Sequence, residues 1–171
     1  MQIDIGFGDV VYPNPTSIIY PTMLGMPSLS ILCYTPESVI AEKTHAIVRH
    51  SLRNSRMKDY FDIWFLSNQF LFDGKKLSEA IHQTFIKRET EISSVTLNVF
   101  DELLNDKSKP LQWHAFINNN LFVSKIDFKN IISHLILFIQ PIFESRIKEK
   151  VFDLSWQRPG PWKDKNEKMM I

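Results

Sequence analysis

The sequence predicts an α+β protein in which a small β-rich N-terminal piece precedes a mainly α-helical domain. Four prolines between positions 13 and 27 exclude helix interiors from the start of the chain. From Thr35 onwards, apolar residues recur at helical spacing. No Gly/Ser-rich linker separates the two parts. We therefore divide the chain into N-terminal strands at 1–34, a helical domain at 35–150 and a polar tail at 151–171.

Composition indicates an ordinary globular protein. The 171 residues are 44% hydrophobic and 23% charged, with a formal net charge of +1, which argues against a disordered or fibrous chain. Because the charges nearly balance, any signal for nucleic acid must be local. Cys33 is the one cysteine, so no intrachain disulfide can form, and a reducing, cytoplasmic setting is expected.

Neither the first residues nor the most apolar stretch predicts a secreted or membrane-spanning protein. Ile3, Ile5 and Phe7 alternate with other residues from the start, and we expect no secretory leader. The stretch 131–143 is interrupted by polar residues and Pro141, so it predicts a buried helix rather than a membrane span. We expect exposed N-terminal strands, which are a candidate contact for a homo-oligomer.

Helix signals follow in order along the rest of the chain. Thr35, Pro36 and Glu37 form a helix start, with a capping hydroxyl, a proline at the first helical position and an early acid. That helix is expected to end near Ser51. Gly74 is expected to end the next helical region, and residues 154–171 are expected to fray. Further helices are predicted at about 57–69, 77–87, 94–104, 111–118 and 128–147, the last with a bend at Pro141.

The segment from Lys43 to Lys58 contains five cationic side chains and no carboxylate. His45 and His50 lie in the same run. Lysine supplies a point charge and arginine a bidentate fork, and both recognise phosphate. The segment is therefore a candidate phosphate site.

Two acids after this segment can meet its first lysine. Asp59 and Asp62 are spaced i, i+3 on the next predicted helix, so they share a face. If the two helices are antiparallel with a short turn, Lys43 lies near Asp62. The same charges also fit a solvated helix face with weak surface pairs. The apolar neighbours of Asp62 favour a paired carboxylate instead, because an unpaired one there is costly.

A second candidate is Asp4, which stands between two β-branched residues on a predicted strand. Carboxylates on strands hold Mg²⁺ in metal-dependent phosphoryl chemistry, although the tripeptide also fits an ordinary acid at a strand end. The histidines and Cys33 form no metal-ligand spacing, and the chain has no P-loop, dinucleotide fingerprint or nucleophile elbow.

Together these segments resemble the AbiEii/AbiGii-type nucleotidyltransferase toxins of type IV toxin–antitoxin and phage abortive-infection systems. The resemblance covers roughly residues 1–150, and its most specific part is the series Glu-Lys … Arg … Lys-Asp-x-x-Asp. The residues that carry it are Ile3–Asp9, Tyr34–Glu37, Ala41–Lys43, Arg49, Arg56, Lys58, Asp59 and Asp62. The downstream order is also similar, with Thr84, Phe85 and Arg88, then Trp113 and Phe116, then a long helix with Phe138 and Pro141.

The resemblance implies a nucleotidyltransferase core plus a helical domain, and transfer of a nucleotide from an NTP to RNA, including tRNA, with Mg²⁺. It implies an antitoxin as partner. Asp4 then resembles a metal ligand, Lys43 the lysine that binds nucleotide phosphate, and Asp62 and Asp59 the catalytic acids. Arg49, Arg56 and Lys58 are expected to assist phosphate or RNA binding.

The chain departs from the family at its principal metal motif. That motif is a Gly-Ser turn followed by an Asp-x-Asp pair, and neither occurs in the 171 residues. One strand acid cannot align an in-line attack between two metals. We therefore expect a truncated chain that is inactive alone. The alternatives are a helical module that docks an antitoxin or a missing N-terminal half, and a purely structural helical domain.

Overall fold

The structure is a computed structural model, which describes residues 11–21, 27–120 and 126–165. Within these ranges the protein is mixed α+β, which confirms the predicted class. The first part comprises β1 (Thr16–Tyr20), β2 (Leu29–Cys33), α1 (Pro36–His50), a 3₁₀ turn (Ser51–Arg53), α2 (Met57–Gln69) and β3 (Phe72–Asp73). Then follow α3 (Gly74–Lys87), α4 (Ser94–Asn105), α5 (Lys109–Asn118), α6 (Phe128–Ile147), β4 (Leu154–Trp156) and β5 (Trp162–Asp164).

Helix α6 is the centre of the core and packs against α2, α3, α4 and α5. Its apolar residues recur at helical spacing, and burial of each stabilises the fold by about 1.5–3 kcal/mol. The helix continues through Pro141. Its buried residues are Phe128, Ile131, Ile132, Leu135, Phe138, Ile139, Ile142 and Phe143. Within the described ranges, no helix combines the length and the apolar character needed to cross a bilayer.

Helix α1 begins and ends as its sequence predicts. The Thr35 hydroxyl accepts a hydrogen bond from the backbone N–H of Ser38 at 3.3 Å, and Pro36 is the first helical residue. Arg49 and His50 lie in the last turn, where cations are favoured by the helix dipole. The cap fixes where α1 starts, and therefore which of its residues face α2 and α3.

The expectation that Gly74 ends a helical region is wrong, because Gly74 is the first residue of α3. The Asp73 carboxylate accepts a hydrogen bond from the backbone N–H of Lys76 at 3.1 Å and caps the helix. A glycine is suited to this position because the backbone of the C-terminal segment passes close by. A Cβ at Gly74 would lie 2.7 Å from the Leu154 carbonyl oxygen and 2.8 Å from that of Phe152.

Gly74→Ala should therefore lower the free energy of unfolding by about 1–2 kcal/mol. The added methyl forces the backbone apart, as in other overpacked sites, and the loss exceeds the gain of about 0.4–1 kcal/mol from a less flexible unfolded chain. Urea unfolding measures the change. Lys76→Ala, an exposed substitution in the same turn, is the matched control and should change stability by less than about 0.5 kcal/mol.

Strands β1 and β2 form a two-stranded antiparallel hairpin with Ile18 opposite Ile31. Both strands lie within the region 1–34, for which N-terminal strands are predicted. Val11 and Tyr12, in the same region, lie outside both strands. The alternation at 2–7 lies outside the described residues.

The expectation that residues 154–171 fray is wrong for Leu154–Lys165. Strand β4 pairs with both β3 and β5 in a three-stranded antiparallel sheet. Trp156 is fully buried, and its indole N–H donates to the Ser67 carbonyl oxygen at 2.7 Å. Trp162 stacks on Phe138 with ring centroids 5.6 Å apart. Both tryptophans therefore pack inside the chain and anchor this segment against α2 and α6.

Candidate functional site

The candidate site lies where α1 and α2 face each other across the short connection at 51–56. The Lys43 ammonium on α1 is 3.0 Å from Asp59 Oδ1 and 2.7 Å from Asp62 Oδ2 on α2. Lys58 Nζ is 2.6 Å from the same oxygen of Asp62. The predicted juxtaposition of Lys43 with Asp62 is thus present, and Asp59 joins it. The alternative of a solvated face with weak pairs does not describe this arrangement.

Burial differs sharply among the charged groups of this cluster. Asp59 is 4% exposed, whereas the side chains of Arg56 and Lys58 are 75% and 71% exposed. Burial by itself lowers the pKa of Lys43, but the hydrogen bonds and charges of Asp62 and Asp59 more than offset it and raise the net value above 10.5. Lys43 is therefore a permanently charged group held between two acids.

A cavity of about 430 Å³ opens beside this cluster. Four cationic and two acidic side chains line it, so it carries a positive excess that attracts anions. The lining residues are Tyr34, Val39, Glu42, Lys43, His45, Ala46, Arg49, His50, Arg56, Asp59 and Arg88. Lys43 and His50, seven positions apart on α1, both line this cavity.

The remaining predicted site residues divide into three groups. Arg49 and Arg56 line the cavity, and Arg56 Nε is 3.9 Å from Asp59 Oδ2. Lys58 lies outside it and reaches the cluster through Asp62. Asp4 lies outside the described residues. The roles predicted for these side chains stay predictions.

One oxygen of Asp59 has an ion-pair partner, Arg56 Nε at 3.9 Å, but no hydrogen-bond donor among the described residues. Asp59 Oδ2 is buried without a hydrogen-bond partner among the residues that the structure describes, which is rare and costly for a carboxylate. Because Asp59 also lines the cavity, this oxygen can accept a hydrogen bond from a donor bound there.

Both acids of this cluster are engaged with cations, and the described residues hold no dedicated group of metal ligands beside them. Octahedral magnesium sites are built from oxygen ligands, whereas both acids of this cluster already contact ammonium groups. In the three described ranges, no three His, Cys, Asp or Glu side chains are grouped so that they could hold a metal.

The sequence identifies Arg88 only through the family resemblance and did not predict that the end of α3 contributes it to this cavity. Arg88, just after α3, contacts Glu42 of α1 with 3.1 Å between Nη2 and Oε2. The two residues are 46 positions apart, so only the packing of α1 against α3 brings them together. His45, which the sequence marks only as part of the basic run, lines the same cavity.

His45 is a buried histidine in a cationic environment. Its Nε2 is 2.9 Å from the Thr90 hydroxyl, and its ring packs edge-on against Phe85. Burial, together with the nearby charges of Arg88, Arg49 and His50, lowers the pKa of His45 from 6.5 to about 4. His45 is therefore neutral in the folded protein around neutral pH.

Acidification should destabilise the protein through His45. Below pH 6.5 the unfolded chain takes up a proton that the folded chain does not accept until about pH 4. Stability is therefore fully present above pH 6.5 and falls by up to about 3 kcal/mol as pH approaches 4. Urea unfolding of wild type and His45→Gln at several pH values should show a shallower loss in the variant. Equal slopes between pH 6.5 and 4 would contradict this account.

A larger cavity of about 660 Å³ lies between α3 and the end of α6. Arg146 donates there to Ser78 and to Glu79, each at 2.7 Å. Its walls mix acids and bases with apolar residues, and the cluster of Lys43, Asp59 and Asp62 is not part of it. Size alone therefore does not select the site, and the smaller cavity is the one lined by Lys43 and Asp59 with an excess of cationic side chains.

Comparison with known proteins agrees with the resemblance drawn from the sequence. A family model described as the nucleotidyl transferase AbiEii toxin of type IV toxin–antitoxin systems matches residues 1–134. The chain belongs to the AbiEii family. Membership suggests a nucleotidyltransferase toxin and implies an antitoxin partner. No curated protein and no solved structure matches this AbiEii-family chain.

The family match covers the whole candidate site of the AbiEii-family chain. Helices α1 to α5, and with them Lys43, Asp59, Asp62 and Arg88, lie within it. The match ends inside α6 at residue 134. The site therefore belongs to the part of the chain that the family shares.

Proposed function

We propose that this AbiEii-family chain binds a nucleoside triphosphate in the cavity between α1, α2 and Arg88 and serves transfer of a nucleotide to RNA, such as tRNA. The observation that supports this proposal is Lys43, whose ammonium is held between Asp59 and Asp62 beside a cavity with a positive excess. The proposed setting is the cytoplasm, because Cys33 as the lone cysteine indicates a reducing compartment.

Each side chain has a distinct task in this proposal. Asp59 and Asp62 fix the Lys43 ammonium, so that it meets phosphate without reorganising. Arg49 and Arg56 offer guanidinium N–H groups that match phosphate geometry. Asp59 Oδ2, which lies 3.9 Å from Arg56 Nε and has no hydrogen-bond donor among the described residues, accepts a hydrogen bond from a hydroxyl or amine of the nucleotide. Asp59 and Asp62 are therefore assigned to positioning and binding as well as to the predicted catalysis.

The RNA acceptor would follow the exposed cations beside the cavity. Arg53, Arg56 and Lys58 are exposed, and such side chains neutralise backbone phosphates without reading sequence. A magnesium requirement stays a prediction of the resemblance, and this proposal assigns no metal ligand among the described residues.

We further propose that the 171 residues do not catalyse transfer alone, because they contain neither the Gly-Ser turn nor the Asp-x-Asp pair. Incubation with labelled NTPs, Mg²⁺ and total tRNA should give no labelled RNA. Robust transfer by the purified chain would show that it is active alone and would contradict this second proposal. It would not contradict the proposed nucleotide site.

Binding of ATP tests the proposed site directly. Arg49→Ala should weaken ATP binding by about tenfold, the loss expected for one charge-assisted contact. Lys129→Ala removes an exposed lysine at the start of α6, away from the residues that line the cavity, and should bind as wild type does. If wild type binds no ATP in titration calorimetry, or if both variants lose the same affinity, the proposed site is wrong.

A second candidate function, docking of another chain, is favoured by the β1–β2 hairpin. Ile19 and Leu32 are each 75% exposed, and Ile18, Tyr20 and Leu29 are exposed as well. Among the described residues each strand pairs only with the other, and an isolated hairpin is marginal in water. A second copy pairing along the hairpin would give a homo-oligomer. Light scattering should then report a dimer that Leu32→Lys converts to monomer, and a wild-type monomer would exclude it.

A further inference from the structure

Lys109, the first residue of α5, is a lysine with a fully buried side chain. Its exposed fraction is 0%. The ammonium donates to the Leu52 carbonyl oxygen at 2.6 Å, to the Asn54 carbonyl oxygen at 2.8 Å and to Gln112 Oε1 at 3.4 Å. Its three protons thus have three acceptors, and none of these acceptors is a carboxylate.

Two of those acceptors belong to the connection between α1 and α2. Asn54 is 2% exposed, and its side-chain oxygen accepts a hydrogen bond from the backbone N–H of Arg56 at 2.9 Å. Arg56 immediately precedes α2, and Asp59 follows within the first turn. A continuous series of hydrogen bonds therefore runs from α5 through the connection to the start of the helix that carries both acids of the site.

Stability alone does not account for a lysine here. Burying an ammonium costs several kcal/mol, and apolar replacements of buried ionic groups are often neutral or stabilising. Geometry does account for it, because the carbonyl oxygens of Leu52 and Asn54 can both be satisfied by one cation in only a narrow range of backbone conformations. The same connection fixes how far Asp59 lies from Lys43.

We propose that Lys109 is a positioning residue. Its hydrogen bonds to Leu52 and Asn54 fix the connection between α1 and α2, so that Asp59 and Asp62 face Lys43 at the cavity. It touches no ligand itself, and the inference rests on the proposed function for the part that concerns nucleotide binding. A lysine 50 positions beyond Asp59 in the sequence is thereby assigned to the same site.

Lys109→Met tests this assignment because it keeps the length of the side chain and removes the ammonium. ATP affinity should fall by about tenfold or more, the usual cost of removing a group that orients a binding residue. Hydrogen exchange should accelerate at the amides of Asn54, Met57 and Asp59. Trp113→Phe is the matched control: it removes a buried hydrogen bond from the same helix, to the Ile126 carbonyl oxygen, and should alter neither readout.

A second variant tests the same hydrogen-bond series without changing Lys109, so the assignment does not depend on whether Lys109→Met folds. Asn54→Ala removes the bond to the Arg56 N–H further along the same series, and should also weaken ATP binding and accelerate exchange at Met57 and Asp59. The assignment is overturned if Trp113→Phe matches Lys109→Met in both readouts, or if Lys109→Met and Asn54→Ala change neither. If wild type binds no ATP, the proposed function fails, and exchange in the three variants alone decides whether Lys109 holds the connection.

Discussion

Trp156→Ala should lower the free energy of unfolding by about 3–5 kcal/mol, the range measured for large aromatic truncations in cores. Trp156 is fully buried. Its ring packs edge-on against Phe138, with centroids 4.7 Å apart, and against His134 at 5.7 Å. The substitution also leaves the Ser67 carbonyl oxygen without its indole donor. Urea or thermal unfolding measures the loss.

A paired variant separates the two contributions of Trp156. Trp156→Phe keeps most of the ring volume and removes only the N–H, so it should cost about 1–2 kcal/mol. The difference in free energy of unfolding between Trp156→Ala and Trp156→Phe measures the contribution of ring packing. A loss below about 1 kcal/mol for Trp156→Ala would mean that Leu154–Lys165 contributes little to the fold and that the fraying expected from the sequence is right.

Lys43→Met should both destabilise the protein and abolish ATP binding. The variant leaves Asp59 and Asp62 facing each other with only the exposed Lys58 and Arg56 nearby. Breaking a fully buried pair costs about 3–5 kcal/mol, and because Lys43 is partly exposed we expect about 2 kcal/mol. Urea unfolding gives the first quantity, and titration with ATP gives the second.

The triple variant Lys43→Met, Asp59→Asn, Asp62→Asn distinguishes folding from binding. Because it removes the acids along with their cation, most of the lost stability should return, while ATP binding should not. If the triple variant binds ATP as wild type does, Lys43 is a structural residue and the proposed site is wrong. If it is as unstable as Lys43→Met, charge imbalance is not the cause of the loss.

Alkaline pH offers an independent check on Lys43. Because the folded pKa is raised above 10.5, the contribution of Lys43 to stability is fully present below pH 10.5 and is lost as pH rises through the folded value. The stability difference between wild type and Lys43→Met should therefore be constant around neutral pH and shrink above pH 10.5. A difference that shrinks on acidification from neutral pH to 6 would contradict this assignment.

The features that depend on residues close together in the sequence were predicted correctly. The start of α1 followed from Thr35 and Pro36, and the meeting of Lys43 with Asp62 followed from helix periodicity and a short turn. Both depend on residues within about two helical turns of each other or across one connection, where spacing along the chain translates directly into position.

Contacts between distant segments were not predictable in this way. Strands β4 and β5 have three residues each, too few for a period-2 pattern to stand out beside the prolines at 159 and 161. Gly74 is ambiguous in sequence, because a glycine can follow a helix or begin one where another backbone passes close. The contact of Arg88 with Glu42 and the burial of Lys109 exist only once α1, α3 and α5 are packed.

The packing of α6 also determines how much of the chain must be kept in any shortened version. A protein cut at residue 134, where the family match ends, would lose the second half of the central helix and the aromatic side chains that cover α2. The buried residues lost would be Leu135, Phe138, Ile139, Ile142, Phe143, Phe152 and Trp156. The segment matched by the family model thus ends inside the hydrophobic core, and a fragment with that boundary would lack seven buried residues of the core.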